Sequence, residues 1–207
     1  KNLFLLCASF KLIDMKRKKD FLWGVATSAF QLEGSPYADW ASWDSILNSN
    51  PDITNHYKLY KEDLKLLEEL GVNAYRFSLE WSRIQPKENV WDYDAIAHYQ
   101  EIINILLKNN IEPFITLYHW ELPQALLERG GWTNSETVAI FADYAEFCFR
   151  TFGDRVKKWS TFNEAWIVAQ GGYLYNWQPP ADHENDYTGM CLASHGMNVA
   201  HAKAVQR

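Results

Sequence analysis

Four short sets of polar and aromatic residues recur along the 207-residue sequence, each just after an apolar run. They are Gln31-Leu32-Glu33, Arg76 with Glu80-Trp81-Ser82-Arg83, His119-Trp120-Glu121, and Asn163-Glu164-Ala165-Trp166. Amide, guanidinium, imidazole, indole and carboxylate groups gathered on one rim suit a polyhydroxylated ring. Amides and imidazole exchange hydrogen bonds with hydroxyls, indoles pack on C–H faces, and carboxylates move protons. Each residue taken singly also has a structural reading. A strand-end His such as His119 is often a hydrogen-bonded structural group, and Arg76 inside an apolar run is often paired with a buried carboxylate. Glu33, Glu80 and Glu121 occupy positions like that of Glu164, yet each is equally suited to pairing with Arg83. Glu164 is the hardest to explain structurally, because burying an unpaired carboxylate beside Asn and aromatics is costly. Trp40 and Trp43 read as loop packing. His119 and Glu121 form an isolated pair with no third ligand in step, so no metal is expected and no cofactor is implied.

The elements that must position these residues follow from hydrophobic periodicity. Short apolar runs alternate with longer amphipathic segments, the pattern of βαβ units around a parallel sheet. Strands are expected at Phe21–Ala26, Val72–Ser78, Ile111–Leu117 and Val156–Phe162. Helices are expected at about 55–70, stopped by Gly71, and at about 94–108, stopped by Asn109-Asn110. Thr133 with Glu136 forms a capping box for a third helix that runs to Gly153, and a last helix covers about 187–206. The strands are near-continuous apolar runs, so both of their faces should be buried under helices. A doubly wound sheet and a (β/α)8 barrel both satisfy this. No Gly-x-Gly-x-x-Gly follows the first run, which lowers the dinucleotide-binding reading. A closed barrel takes about 250 residues, so four units are half of one.

Composition narrows the function classes. With 47% hydrophobic and 22% charged residues the chain reads as globular. A net charge of -6 and a pI near 5.5 argue against a nucleic-acid partner, which would meet a basic face. No stretch approaches the roughly 18 consecutive apolar residues of a membrane span, so no membrane partner is expected. Most of the ten Trp should be core. The three Cys, at 7, 148 and 191, have no metal-ligand spacing, and a reducing, cytoplasmic location is the default. Leu3–Phe10 form an apolar run that precedes the basic cluster Lys16–Lys19, the reverse of a signal peptide. Met15 therefore reads as a start and residues 1–14 as an upstream or non-native extension, leaving 15–207 as one domain.

The sequence resembles the family 1 glycoside hydrolases, which include β-glucosidases, β-galactosidases and 6-phospho-β-glycosidases. The resemblance rests on Phe21-Leu22-Trp23-Gly24-Val25-Ala26-Thr27-Ser28-Ala29-Phe30-Gln31-Leu32-Glu33-Gly34 and three later blocks in order. These are Tyr75-Arg76-Phe77-Ser78 with Trp81-Ser82-Arg83-Ile84, Tyr118-His119-Trp120-Glu121-Leu122-Pro123, and Thr161-Phe162-Asn163-Glu164. It implies an α/β fold, the TIM (β/α)8 barrel, with only the first four βα units in this chain. It also implies retaining hydrolysis of terminal β-D-glycosides, with a small-molecule β-glycoside or oligosaccharide as partner. In that family the residue matching Glu164 is the acid/base and the one matching Arg76 orients the nucleophile. Those matching Gln31, His119, Trp120 and Asn163 hold the sugar, and the one matching Trp166 lies toward the leaving group.

A retaining mechanism needs a second carboxyl group about 5 to 5.5 Å from the first. In the resembled family it sits in a Thr-Glu-Asn-Gly block, and no such block occurs in these 207 residues. The chain alone is therefore expected to be inactive. A non-catalytic sugar- or protein-binding relative, and a half-barrel that assembles with a partner or self-associates through open barrel edges, are the alternatives. Two residues depart from the family pattern: Ala165 stands where Pro is usual, and Glu121 where Asp is common. The segment from Ser35 to Asn55 also reads as a trimmed loop.

Overall fold

The computed structural model describes residues 21–43, 54–181 and 185–207. The extension at residues 1–14, the start at Met15 and the middle of the loop expected to be trimmed, residues 44–53, lie outside them. Four parallel strands, β1 (Gly24–Ala26), β2 (Ala74–Ser78), β3 (Glu112–Tyr118) and β4 (Lys158–Phe162), form one sheet in the order of the sequence. Helical segments fill every connection. The fold is the TIM (β/α)8 barrel, and these are four consecutive βα units of it.

After β1 come two short helices, α1 (Ala29–Glu33) and α2 (Asp39–Trp43), and then the first long one, α3 (His56–Leu70). Its buried residues, His56, Tyr60, Leu64 and Leu67, recur at helical spacing, and Gly71 stops it at φ +69°, a conformation glycine adopts freely. Between β2 and β3 lie α4 (Trp81–Ile84) and α5 (Tyr93–Lys108). The Asp92 carboxylate accepts from the N–H groups of Asp94 and Ala95 and caps α5, which buries Ile96, Tyr99, Ile103 and Leu106. After β3 come α6 (Gln124–Leu127), a 3₁₀ turn (Gly131–Thr133) and α7 (Ser135–Phe152). The capping box expected at Thr133 is not what opens α7. The Asn134 side chain accepts from Glu136 N–H, while the Thr133 hydroxyl donates to the Gly130 carbonyl. After β4 the chain forms α8 (Ala165–Ala169), a π-helical turn (Gln170–Leu174) and α9 (Tyr187–Val205).

The core lies between the sheet and the helices. Tyr75, Phe77, Ile115 and Leu117 point into it, joined by the buried faces of α3, α5 and α7. Trp81 stacks on Tyr144 at 4.9 Å and anchors the middle of this layer. Each such fully buried side chain contributes about 1.5–3 kcal/mol. Arg76, Phe114 and Thr116 occupy the other face. In register, Arg76 lies beside Phe114 and Ser78 beside Thr116, and the Ala29 N–H at the start of α1 donates to Ser78 Oγ at 2.7 Å.

Two expectations about the strands are corrected. Each strand begins later than its apolar run; before β1, Trp23, 46% exposed, is tied down by its N–H bond to the Asn73 side chain. The β4 strand is not buried on both faces. All five of its residues are half-buried, since among the described residues it has a strand neighbour on one side alone.

Candidate active site

The strand ends bring Arg76, Asn163 and Glu164 together in one chain of hydrogen bonds. Arg76 Nε–H donates to Thr116 Oγ1 at 2.9 Å, and Arg76 Nη2–H donates to Asn163 Oδ1 at 2.9 Å. With its oxygen held, Asn163 turns its Nδ2 donor to Glu164 Oε2 at 3.3 Å. The Arg76 guanidinium also lies 6.0 Å from the Phe114 ring centre. Glu164 is exposed, and its backbone is left-handed, φ 48° and ψ 53°. That geometry turns the chain sharply from β4 into α8 and sends the side chain away from the helix end, where it caps nothing.

Beside this chain stands His119. Burial, and after it the Arg76 charge, lowers its pKa to about 4, so the ring is neutral at pH 7. Its Nδ1 is buried without a hydrogen-bond partner, as is Trp120 Nε1. Trp120 itself is held at φ 84°, a strained conformation for a bulky residue. Its carbonyl accepts from Tyr118 Oη–H at 2.9 Å and from Trp40 Nε1–H at 3.2 Å. One residue on from Glu121, Leu122 is clamped to α2 by two bonds. Its N–H donates to Asp39 Oδ1 at 2.9 Å, and its carbonyl accepts from Asp39 N–H at 2.8 Å.

The other three strand-end glutamates fare differently. Glu33, Glu80 and Glu121 are all buried, together with Asp39. Arg83 reaches Glu33 at 3.8 Å, donates to the Gly34 carbonyl and lies over the Tyr57 ring at 4.1 Å. Tyr99 Oη–H donates to Glu33 Oε2, Ser82 Oγ–H donates to Glu80 Oε1, and one oxygen each of Glu80 and Glu121 has no partner. Burial raises Glu33 to about 8 and Glu80 to about 7, with Arg83 opposing it in both. Burial likewise raises Glu121 and Asp39. Of the pairings expected with Arg83, the one with Glu33 forms, at 3.8 Å, Glu80 feels the Arg83 charge, and Glu121 does not pair with it.

Two expected residues stand apart from the hydrogen-bonded chain. Gln31 is exposed and its Oε1 accepts from the Ser28 hydroxyl at 2.5 Å. Trp166 is 54% exposed on α8. Trp40 and Trp43, expected as loop packing, lie instead in α2, where Trp40 donates to the Trp120 carbonyl and Trp43 is exposed. Thr116 and Asp39 went unrecognised. The signal for Thr116 was strand alternation, since it shares a strand face with Phe114 and lies two residues before Tyr118.

Residues 14–207 match the model of glycosyl hydrolase family 1. The chain belongs to that family. It is 42% identical over 204 residues to β-glucosidase A of Thermotoga maritima, covering 92% of this chain and 45% of that protein. It is 40% identical to a 6-phospho-β-galactosidase of Clostridium acetobutylicum, covering 91% of this chain and 41% of that one. Among solved structures it is similar to T. maritima β-glucosidase in complex with castanospermine, with a TM-score of 0.83 and 41% identity over 91% of this chain and 45% of that one. The chain spans about half the length of the curated relatives it matches. No helix among the described residues is long and apolar enough to cross a membrane.

Proposed function

We propose that this glycosyl hydrolase family 1 chain supplies the acid/base and sugar-binding half of a retaining β-glycosidase that acts on terminal β-D-glucosides. One observation carries the reading: of the four strand-end glutamates, Glu164 alone is exposed, and Asn163 aims at it. Glu164 protonates the leaving oxygen, then takes a proton from the water that releases the sugar. Asn163 bonds the 2-hydroxyl through the remainder of its amide. The orphaned His119 Nδ1 and Trp120 Nε1 meet sugar hydroxyls, which relieves the cost of burying them unpaired. Neutral His119 serves there as donor or acceptor without adding charge. Gln31 adds an amide on the glycone side, and Trp166 offers an indole face to the leaving group. Arg76 orients the nucleophilic carboxylate of the second half. The names of the relatives support glucoside as the substrate class.

The test is turnover of aryl β-glucosides, β-galactosides and their 6-phospho forms. The 207-residue chain alone should show none, and the protein with the second carboxylate restored should prefer β-glucosides. Turnover by the pure chain would overturn the account.

A further inference from the structure

Asn163 can serve a sugar hydroxyl and Glu164 together only if its amide is held one way round. A free amide would flip, placing its oxygen against the carboxylate and costing a repulsive contact. The backbone does not fix this choice, since Asn163 lies just past β4 and its N–H bond to the Tyr118 carbonyl leaves the side-chain amide free to turn. The choice is fixed by Arg76, which presents N–H donors alone and so can donate only to the amide oxygen. Arg76 in turn has a long, flexible stem. Its fork is set by its Nε–H bond to Thr116 Oγ1, whose residue is 1% exposed in the middle of β3.

We propose that Thr116 is a positioning residue for the candidate active site, acting through Arg76 to orient the Asn163 amide toward Glu164. The relay crosses β3, β2 and β4 in three hydrogen bonds, at 2.9, 2.9 and 3.3 Å, so each strand end is tied to the next. Without the hydroxyl, the guanidinium loses the contact that fixes its rotation, and the amide is released. The inference rests on the proposed roles of Asn163 and Glu164, but the relay can be read without any sugar.

The experiment is NMR of the 207-residue chain with 15N-labelled Arg and Asn, as native protein, Thr116→Val and Thr116→Ser. In the native chain and in Thr116→Ser, the Asn163 Nδ2 protons should show two well-separated, slowly exchanging signals. In Thr116→Val they should exchange with water at least tenfold faster and move, still as two signals, toward the positions of a free Asn amide, while the backbone spectrum away from the site stays in place. An Asn163 amide unmoved in Thr116→Val, or moved equally in Thr116→Ser, would overturn the inference. If Thr116→Val does not fold, Arg76→Lys breaks the same relay, and an unmoved Asn163 amide there overturns it too. Sugar binding followed by chemical-shift titration on the same samples separates this result from the functional reading: loss of sugar binding with the relay intact would count against the function alone.

Discussion

Two groups of carboxylates face different fates within a few residues of the strand ends. Glu164 stands in the open, with one neutral donor beside it and the Arg76 charge one residue further off. Glu33, Asp39, Glu80 and Glu121 are buried, and Arg83 reaches Glu33 at 3.8 Å and bears on Glu80. The chemistry available to each follows from solvent. An exposed carboxyl can exchange protons with water and meet a substrate. A sealed one keeps its proton because its charged form has no hydration, and its hydrogen bonds then act as struts. Those struts lead back to the open site. Asp39 clamps the segment that follows Trp120, and Glu33 and Tyr99 brace the segment that carries Gln31.

The comparison breaks most sharply at Arg83. Arg83→Met removes the cation at Glu33, the bond to the Gly34 carbonyl and the contact over Tyr57, and should cost about 1–3 kcal/mol in urea unfolding. Glu164→Gln, by contrast, should change stability by less than about 0.5 kcal/mol. Equal losses in the two variants would erase the distinction between the groups.

A smaller effect comes from pH. Carboxyls raised in the folded state bind more protons there than in the unfolded chain, so stability is full below their unfolded pKa and is lost as pH rises toward the folded values. Below pH 6.5 this trend is offset by His98 and His119, both lowered to about 4, which must stay neutral in the fold. The clean window is therefore pH 6.5 to 8. Across it, stability should fall by about 1.4 kcal/mol per pH unit for each carboxyl still protonated, and Glu33→Gln should remove about one proton from that slope. A urea midpoint that is flat or rises over this window would contradict the buried cluster.

The smallest effect sharpens the open side. Ala165 is the first residue of α8, where proline's missing N–H is harmless and its φ is suitable. Ala165→Pro should raise stability by about 0.4–1 kcal/mol, measured as a higher Tm. A lower Tm would show that left-handed Glu164 does not tolerate a following proline.

The sequence made the βα rhythm legible because core strands and helices differ in period and in stop signals, and Gly71 and Asn109 act as stops where they were expected. The strand-end motifs likewise marked Arg76, His119, Asn163 and Glu164 correctly as neighbours in space. Burial was not legible. Glu33, Glu80, Glu121 and Glu164 look alike along the chain, and their separation depends on how α1, α2 and α4 fold over the strand ends, a long-range packing event. Thr116 was hidden for another reason. A Thr in an apolar strand reads as a β-former, and its partner lies 40 residues away. The cap of α7 was misread because Thr133 and Asn134 are adjacent and both can cap, and the turn after Gly130 and Gly131 decided between them.

The central claim, that Glu164 is the acid/base of a retaining β-glycosidase, is tested most directly by Glu164→Gln in the protein that includes the second carboxylate. Rates are compared for glucosides with poor and with activated aryl leaving groups. The account predicts a loss of roughly 10²–10⁴-fold for the poor leaving groups, with the activated ones still forming the glycosyl-enzyme. Equal loss on both, or no loss on either, would contradict it.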